Sequence, residues 1–175
     1  MDGYTLFDTT LGRCGIAWSD RGIAAIELPG PDDAATRRRL RRALPAARED
    51  APPPDVAAAI DAIVRLFDGE PDDLSSVVLD MDEVPEFQRR VYDVARTIPP
   101  GETLSYGEVA ARLGEPGAAQ AVGRALGRNP FPIVVPCHRV LAANGALHGF
   151  SAPGGIETKR RMLAIEGAGA PTLFD

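Results

Sequence analysis

The sequence predicts an α/β fold of the α+β kind. A small N-terminal domain with an antiparallel sheet and helices is followed by a mostly helical domain. That second domain carries a helix-turn-helix and a short strand leading to Cys137. Three observations predict this. The first 30 residues hold three short apolar runs separated by tight glycine-containing turns. Beyond Pro85, apolar residues recur at helical spacing. The charge balance also changes sign between the halves: residues 1–86 carry 9 basic and 18 acidic side chains, residues 87–175 carry 10 and 7.

Tyr4–Thr10, Cys14–Ser19 and Gly22–Leu28 read as an antiparallel meander, turning at Leu11-Gly12-Arg13 and Asp20-Arg21-Gly22. Asp32–Leu44 follows as a helix, with Asp32 or Asp33 as N-cap and an arginine-rich outer face. Pro52-Pro53-Pro54 is a stiff break. Asp55–Phe67 then places Val56, Ile60, Ile63 and Leu66 on one helical face, and Gly69 ends it. Val77–Leu79 reads as a strand before an acidic linker. The boundary is drawn at residues 82/83, giving domains 1–82 and 83–175.

In the second half, Pro85 suits the first turn of a helix carrying Phe87, Val91, Val94 and Ile98, and Pro99-Pro100-Gly101 stops it. Ser105 and Glu108 form a capping box for a short helix whose buried stripe is Val109, Ala110 and Leu113. A turn at Gly114–Gly117 leads to a helix over Ala118–Leu126. Two short helices joined this way make a helix-turn-helix. The second helix offers only Gln120 and Arg124 as long polar side chains, whereas Ala119, Ala121 and Gly123 are small. Readout of base edges needs several long polar side chains. The pattern suits close, sequence-independent approach to DNA, and a plain helical hairpin packed on its alanines remains an equal reading.

The length suits one domain or two small ones. No run approaches the roughly 18 apolar residues of a membrane span. The N-terminus has no basic or apolar leader region, so the expected location is cytoplasmic. Two cysteines, Cys14 and Cys137, build no disulfide framework, and no zinc-finger spacing occurs, so neither metal nor cofactor is expected. The net charge of −6 argues against a nucleic-acid binder as a whole, but the second half is net positive. Of the 19 basic residues only Lys159 is a lysine, a bias that points to a GC-rich coding genome.

Reactive chemistry concentrates in Asn129–Val140, NPFPIVVPCHRV. Ile133-Val134-Val135 reads as a buried strand ending at Pro136. A free cysteine is only several per cent thiolate near neutral pH, and His138 and Arg139 are both candidates to raise that fraction. Neighbours on a strand point to opposite faces. Direct contact between Cys137 and His138 therefore needs a sharp turn at Pro136 or a bridging water. A cysteine flanked by Pro, His and Arg departs from the inert buried kind. Cys14, in RCGIAW, fits that kind.

These residues carry a resemblance. IPPGETLSYGEVA (Ile98–Ala110), AVGRALGRNPFPIVVPCHRV (Ala121–Val140) and KRRMLAIEG (Lys159–Gly167) closely resemble the O6-alkylguanine-DNA alkyltransferase family. The resemblance is strong over about 70 residues, and the first 80 or so match the variable first domain only in pattern. It implies repair of O6-alkylguanine, and of O4-alkylthymine, in double-stranded DNA. The base is flipped out and the alkyl group passes once, irreversibly, to Cys137. It further implies that His138 takes the thiol proton through a water, that Glu166 orients His138 and that Asn129 holds the turn. Tyr106 helps rotate the nucleotide and protonates the leaving guanine, Ser151 lies near the guanine oxygen, and the Val140 carbonyl contacts the exocyclic amine. DNA with little sequence specificity is the implied partner, and a monomer the implied state. The family's first-domain zinc ligands have no clear counterparts here.

Three features depart from the family pattern or stand outside it. Gln120 occupies the place of the arginine finger that fills the gap left by the flipped base, with Arg124 one helical turn later. Phe150 replaces a common tyrosine, and Ala152-Pro153 is inserted in the loop walling the pocket. Pro171–Asp175 resembles sliding-clamp binding peptides but lacks their leading glutamine, so a frayed terminus is the favoured reading. A non-catalytic alkyltransferase-like lesion binder is the alternative, though such proteins lack the acceptor cysteine. A helix-turn-helix regulator and an unrelated cysteine hydrolase rank below it.

Overall fold

The computed structural model describes residues 1–145 and 155–168. Phe150, Ser151, the Ala152-Pro153 insertion and the Pro171–Asp175 tail, all singled out above, lie outside them.

The meander forms as the turn residues dictate. Strands β1 (Gly3–Thr9), β2 (Gly12–Ser19) and β3 (Gly22–Glu27) pair antiparallel. Ala17 lies opposite Ala25 and Trp18 opposite Ile23, so the register skips Ala24. A fourth short strand, β4 (Arg48–Glu49), pairs parallel with β1 and completes the order β3-β2-β1-β4. Helix α1 (Asp33–Ala43) is capped by Asp32, whose side chain accepts from the Ala35 N–H at 2.8 Å. It lies so close on β2 that a Cβ at Gly15 would come within 2.7 Å of Leu40. Helix α2 (Pro54–Phe67) buries Val56, Ile63, Leu66 and Phe67 against Ile16, Trp18 and Ile26.

Val77–Leu79 is not a strand of its own. Only a one-residue bridge joins Leu79 to Ile23, flanked by hydrogen bonds from Ile23 N–H to Val78 and from Asp80 N–H to Ile23. The Asp72 and Asp73 side chains cap local turns there instead, on the Leu74 and Ser75 N–H groups.

The second half is helical: α3 (Glu86–Ala95), α4 (Tyr106–Arg112), α5 (Ala119–Gly127) and α6 (Gly155–Ile165). The capping box at α4 is complete, with Glu108 N–H on Ser105 Oγ at 3.0 Å and Ser105 N–H on Glu108 Oε1 at 2.7 Å. Two short strands, β5 (Leu104–Ser105) and β6 (Val140–Leu141), pair parallel. A core of Val91, Tyr92, Val109, Val122, Leu126, Phe131, Val135 and Val140 fills the space between these helices. The other core takes Ile133, Val134 and Met162 in among the residues of β1–β3 and α2.

The expected strand before Cys137 is a turn, and the strand β6 comes after the cysteine rather than before it. Proline explains the correction. Pro130, Pro132 and Pro136 supply no ladder N–H. Ile133 sits at φ 81°, where a β-branched residue is strained by about 1–3 kcal/mol.

Candidate active site

That strained turn is held by one side chain. Asn129 Nδ2 donates to the Val135 carbonyl at 2.9 Å, and Asn129 Oδ1 accepts from the Phe131 N–H at 2.8 Å. The Val135 N–H closes back on the Phe131 carbonyl at 2.9 Å. Phe131 and Val135 face one core while Ile133 and Val134 face the other, so apolar burial on both sides offsets the strain. A 3-10 turn, Cys137–Arg139, follows immediately. It removes the alternation of a strand and allows Cys137 and His138 to serve one site.

Cys137 is 9% exposed, and His138 is fully buried. His138 Nε2 meets Glu166 Oε2 at 2.9 Å. Arg139 clamps the same carboxylate, Nε to Oε1 at 2.8 Å and Nη2 to Oε2 at 2.7 Å, and Nη1 donates to the Ile98 carbonyl at 2.6 Å. Burial would raise the Glu166 carboxyl, but the hydrogen bonds from His138 and Arg139 outweigh it and hold it at about 2. Burial pushes the His138 imidazole below its usual range. Burial also pushes the Cys137 thiol up, against the Asn129 hydrogen bond and the Lys159 charge, which pull it down.

These directions fix the protonation pattern at neutral pH. Glu166 is a carboxylate and only accepts, so neutral His138 must carry its hydrogen on Nε2. The lone pair is then on Nδ1. That atom is buried and has no hydrogen-bond partner among the described residues. The arrangement is a cysteine beside a neutral imidazole base, with the base oriented by a carboxylate that an arginine holds in place.

The structure brings Cys137, His138, Glu166, Asn129 and Tyr106 together. Tyr106 opens α4 and is electrostatically coupled to Cys137, with burial raising its hydroxyl. Gly123 on α5 faces the Tyr106 ring, where an added Cβ would meet Cε1 at 3.9 Å. Gln120 and Arg124 are exposed on α5, and Ala119, Ala121 and Gly123 of the same helix are half-buried. Val140 is buried, and its carbonyl already accepts Lys159 Nζ at 2.9 Å. Cys14 is buried in the sheet core, its thiol pushed to about 12 by burial, as expected of an inert residue.

Two residues took a larger part than sequence reasoning gave them. Arg139 was visible as a charge near the cysteine, but its clamp on Glu166 spans 27 positions and only the fold reveals it. Lys159 is 1% exposed. The available signal was that it is the sole lysine in a chain that otherwise uses arginine.

Comparison with known proteins follows the same residues. The family model described as "6-O-methylguanine DNA methyltransferase, DNA binding domain" matches residues 86–168. A methylated-DNA–protein-cysteine methyltransferase of Methanothermobacter thermautotrophicus is 39% identical over 153 residues, covering 87% of this chain and 78% of that protein. The crystal structure of Mycobacterium tuberculosis O6-methylguanine methyltransferase superposes with a TM-score of 0.77 at 37% identity, over 100% of both chains. The structure of M. tuberculosis OGT in complex with DNA matches with a TM-score of 0.73 at 35% identity, over 99% of both chains. The chain thus belongs to the methylated-DNA–protein-cysteine methyltransferases, a DNA-binding family of DNA-repair methyltransferases.

Proposed function

We propose that the protein repairs O6-alkylguanine in double-stranded DNA by moving the alkyl group onto Cys137, once per molecule. The observation that carries this is the His138–Glu166 pair next to Cys137 in sequence: Nε2 is taken by Glu166, and the buried Nδ1 has no hydrogen-bond partner among the described residues. A single water between Nδ1 and Sγ passes the thiol proton to His138. The sulfur pair then forms the S–C bond while the C–O6 bond breaks. The released pair stays on the guanine oxygen, and the Tyr106 hydroxyl supplies the proton that restores guanine. The thioether has no leaving group, so the protein acts once. O4-alkylthymine offers the same alkyl–oxygen bond and is a second substrate.

A base inside the duplex cannot reach the thiol of a cysteine that is only 9% exposed, which supports flipping of the damaged nucleotide. The small residues of α5 support close approach to DNA without base readout, with the protein working as a monomer. A reactive thiol suits the reducing cytoplasm. We assign the chemistry to residues 83–175 and treat residues 1–82 as their supporting domain. A clamp contact through the C-terminal tail rests on sequence alone.

The test is an oligonucleotide carrying O6-methylguanine, followed by the mass of the peptide containing Cys137. One methyl in place of one hydrogen is expected. Lesion binding without that gain would favour the non-catalytic alternative. Gln120 gives a second expectation. Gln120→Arg places a longer cation at the exposed start of α5 and should tighten lesion-DNA binding by about 1 kcal/mol, roughly five-fold in Kd. A fluorescence titration with unchanged or weaker affinity would show that position 120 does not fill the gap.

A further inference from the structure

Lys159 has no part in the transfer as set out above, yet it is buried in the site. It projects from α6 with 1% exposure, and Nζ donates to the Val140 carbonyl at 2.9 Å. Burying an ammonium is costly unless it is matched, because desolvation disfavours the charged form. Burial does lower the Lys159 ammonium, and the electrostatic coupling to Cys137 acts in the opposite direction. The coupling is mutual: the charge on Lys159 pulls the Cys137 thiol down.

The other groups facing Cys137 do not supply that charge. Tyr92 on α3 and Tyr106 on α4 are both raised by burial and neutral near pH 7. His138 is depressed and neutral. Arg139 is spent in a two-point ion pair with Glu166. Asn129 contributes a hydrogen bond and no net charge.

We propose that Lys159 is a positioning residue for alkyl transfer, its buried ammonium holding the Val140 carbonyl in place and stabilising the negative sulfur of Cys137 as the thiol proton leaves. The hydrogen bond has a mechanical reach. Val140 pairs with Leu104, and Leu104-Ser105 runs directly into Tyr106. Lys159 therefore ties α6 to the strand pair that launches the proposed proton donor. The Val140 carbonyl keeps a second lone pair, so it can still accept the guanine amine.

The inference rests on Cys137 being the alkyl acceptor, and its test needs no lesion. The rate of Cys137 alkylation by iodoacetamide is followed against pH, with thiolate absorbance alongside. A Cys137→Ser sample subtracts any contribution from Cys14. Lys159→Gln keeps an N–H donor and loses the charge. Its midpoint should rise by about one pH unit, with alkylation roughly tenfold slower below the midpoint. Lys159→Arg should stay with the wild type. An unshifted midpoint for Lys159→Gln overturns the proposal, and so does a Lys159→Arg midpoint that rises with it. Lys159→Met fills the buried slot with an apolar chain and gives the same reading if glutamine is not tolerated. A shifted midpoint with failed methyl transfer would leave Lys159 standing and sink the alkyltransferase reading. An unshifted midpoint with normal methyl transfer would do the reverse.

Discussion

Cys137→Ser is expected to bind lesion-bearing DNA and to transfer no alkyl group. The reason is chemical rather than structural. The thiolate is the nucleophile, and a serine hydroxyl stays protonated where a thiol ionises. His138 and Asn129 are arranged for a thiol already raised by burial, and an alcohol lies much further from ionisation. Serine is smaller and still bonds Asn129, so the turn and both cores are retained. Gel-shift binding should match the wild type, and the peptide containing residue 137 should gain no mass. Repair by this variant would show that the acceptor is another residue.

Glu166→Ala should lower stability by about 3–5 kcal/mol, the usual cost of leaving a buried charge without its partner. The carboxylate is 1% exposed and holds two groups at once. Without it the Arg139 guanidinium, 2% exposed, keeps only the Ile98 carbonyl, and His138 Nε2 has nothing to donate to. For a chain of this length the melting temperature should fall by about 6–20 °C. Methyl transfer should slow as well, since nothing then fixes the imidazole tautomer. Glu166→Gln keeps an acceptor oxygen and should lose less.

The same carboxylate sets an acid limit. Glu166 is held at about 2 in the folded chain against an ordinary 4.5. The unfolded chain therefore binds this proton first as pH falls. The contribution, on the order of 3 kcal/mol, is fully present above about pH 4.5 and is lost as pH drops towards 2. His138 is depressed from 6.5, so the unfolded state also takes that proton first, and stability begins to decline below about pH 6.5. Urea midpoints measured from pH 7 to 3 should fall in both ranges for the wild type. The steeper acid portion should vanish in Glu166→Gln. A wild-type midpoint flat below pH 4.5 would contradict the proposed role of the carboxylate.

Much of the fold was legible because local chemistry decided it. The meander turns, the Asp32 cap, the Ser105–Glu108 box and the apolar faces of α2 and α3 are near-neighbour effects, and the structure has them where the residue types require. The run Ile133–Val135 misled for a physical reason. Its apolar character reports burial on two sides, which a fully buried strand and a turn wedged between two cores share. Prolines at 130, 132 and 136 were the discriminating signal. The proposed reacting residues Cys137 and His138 were legible from their own motif. The Arg139 clamp and the Lys159 contact were not, because each joins segments at least 19 positions apart through buried charge.

One feature of the sheet bears on how the protein behaves in a crowded cell. Strand β3 is a sheet edge, a template on which a second chain could add. Three of its backbone groups are already occupied: the Ile23 N–H by the Val78 carbonyl, the Ile23 carbonyl by the Asp80 N–H, and the Ile26 N–H by the Pro130 carbonyl. Pro130 belongs to the turn that carries the reactive cysteine. The seating of that turn therefore also covers part of the β3 edge, so that assembly of the proposed reactive centre and protection of this edge against pairing with another chain are coupled.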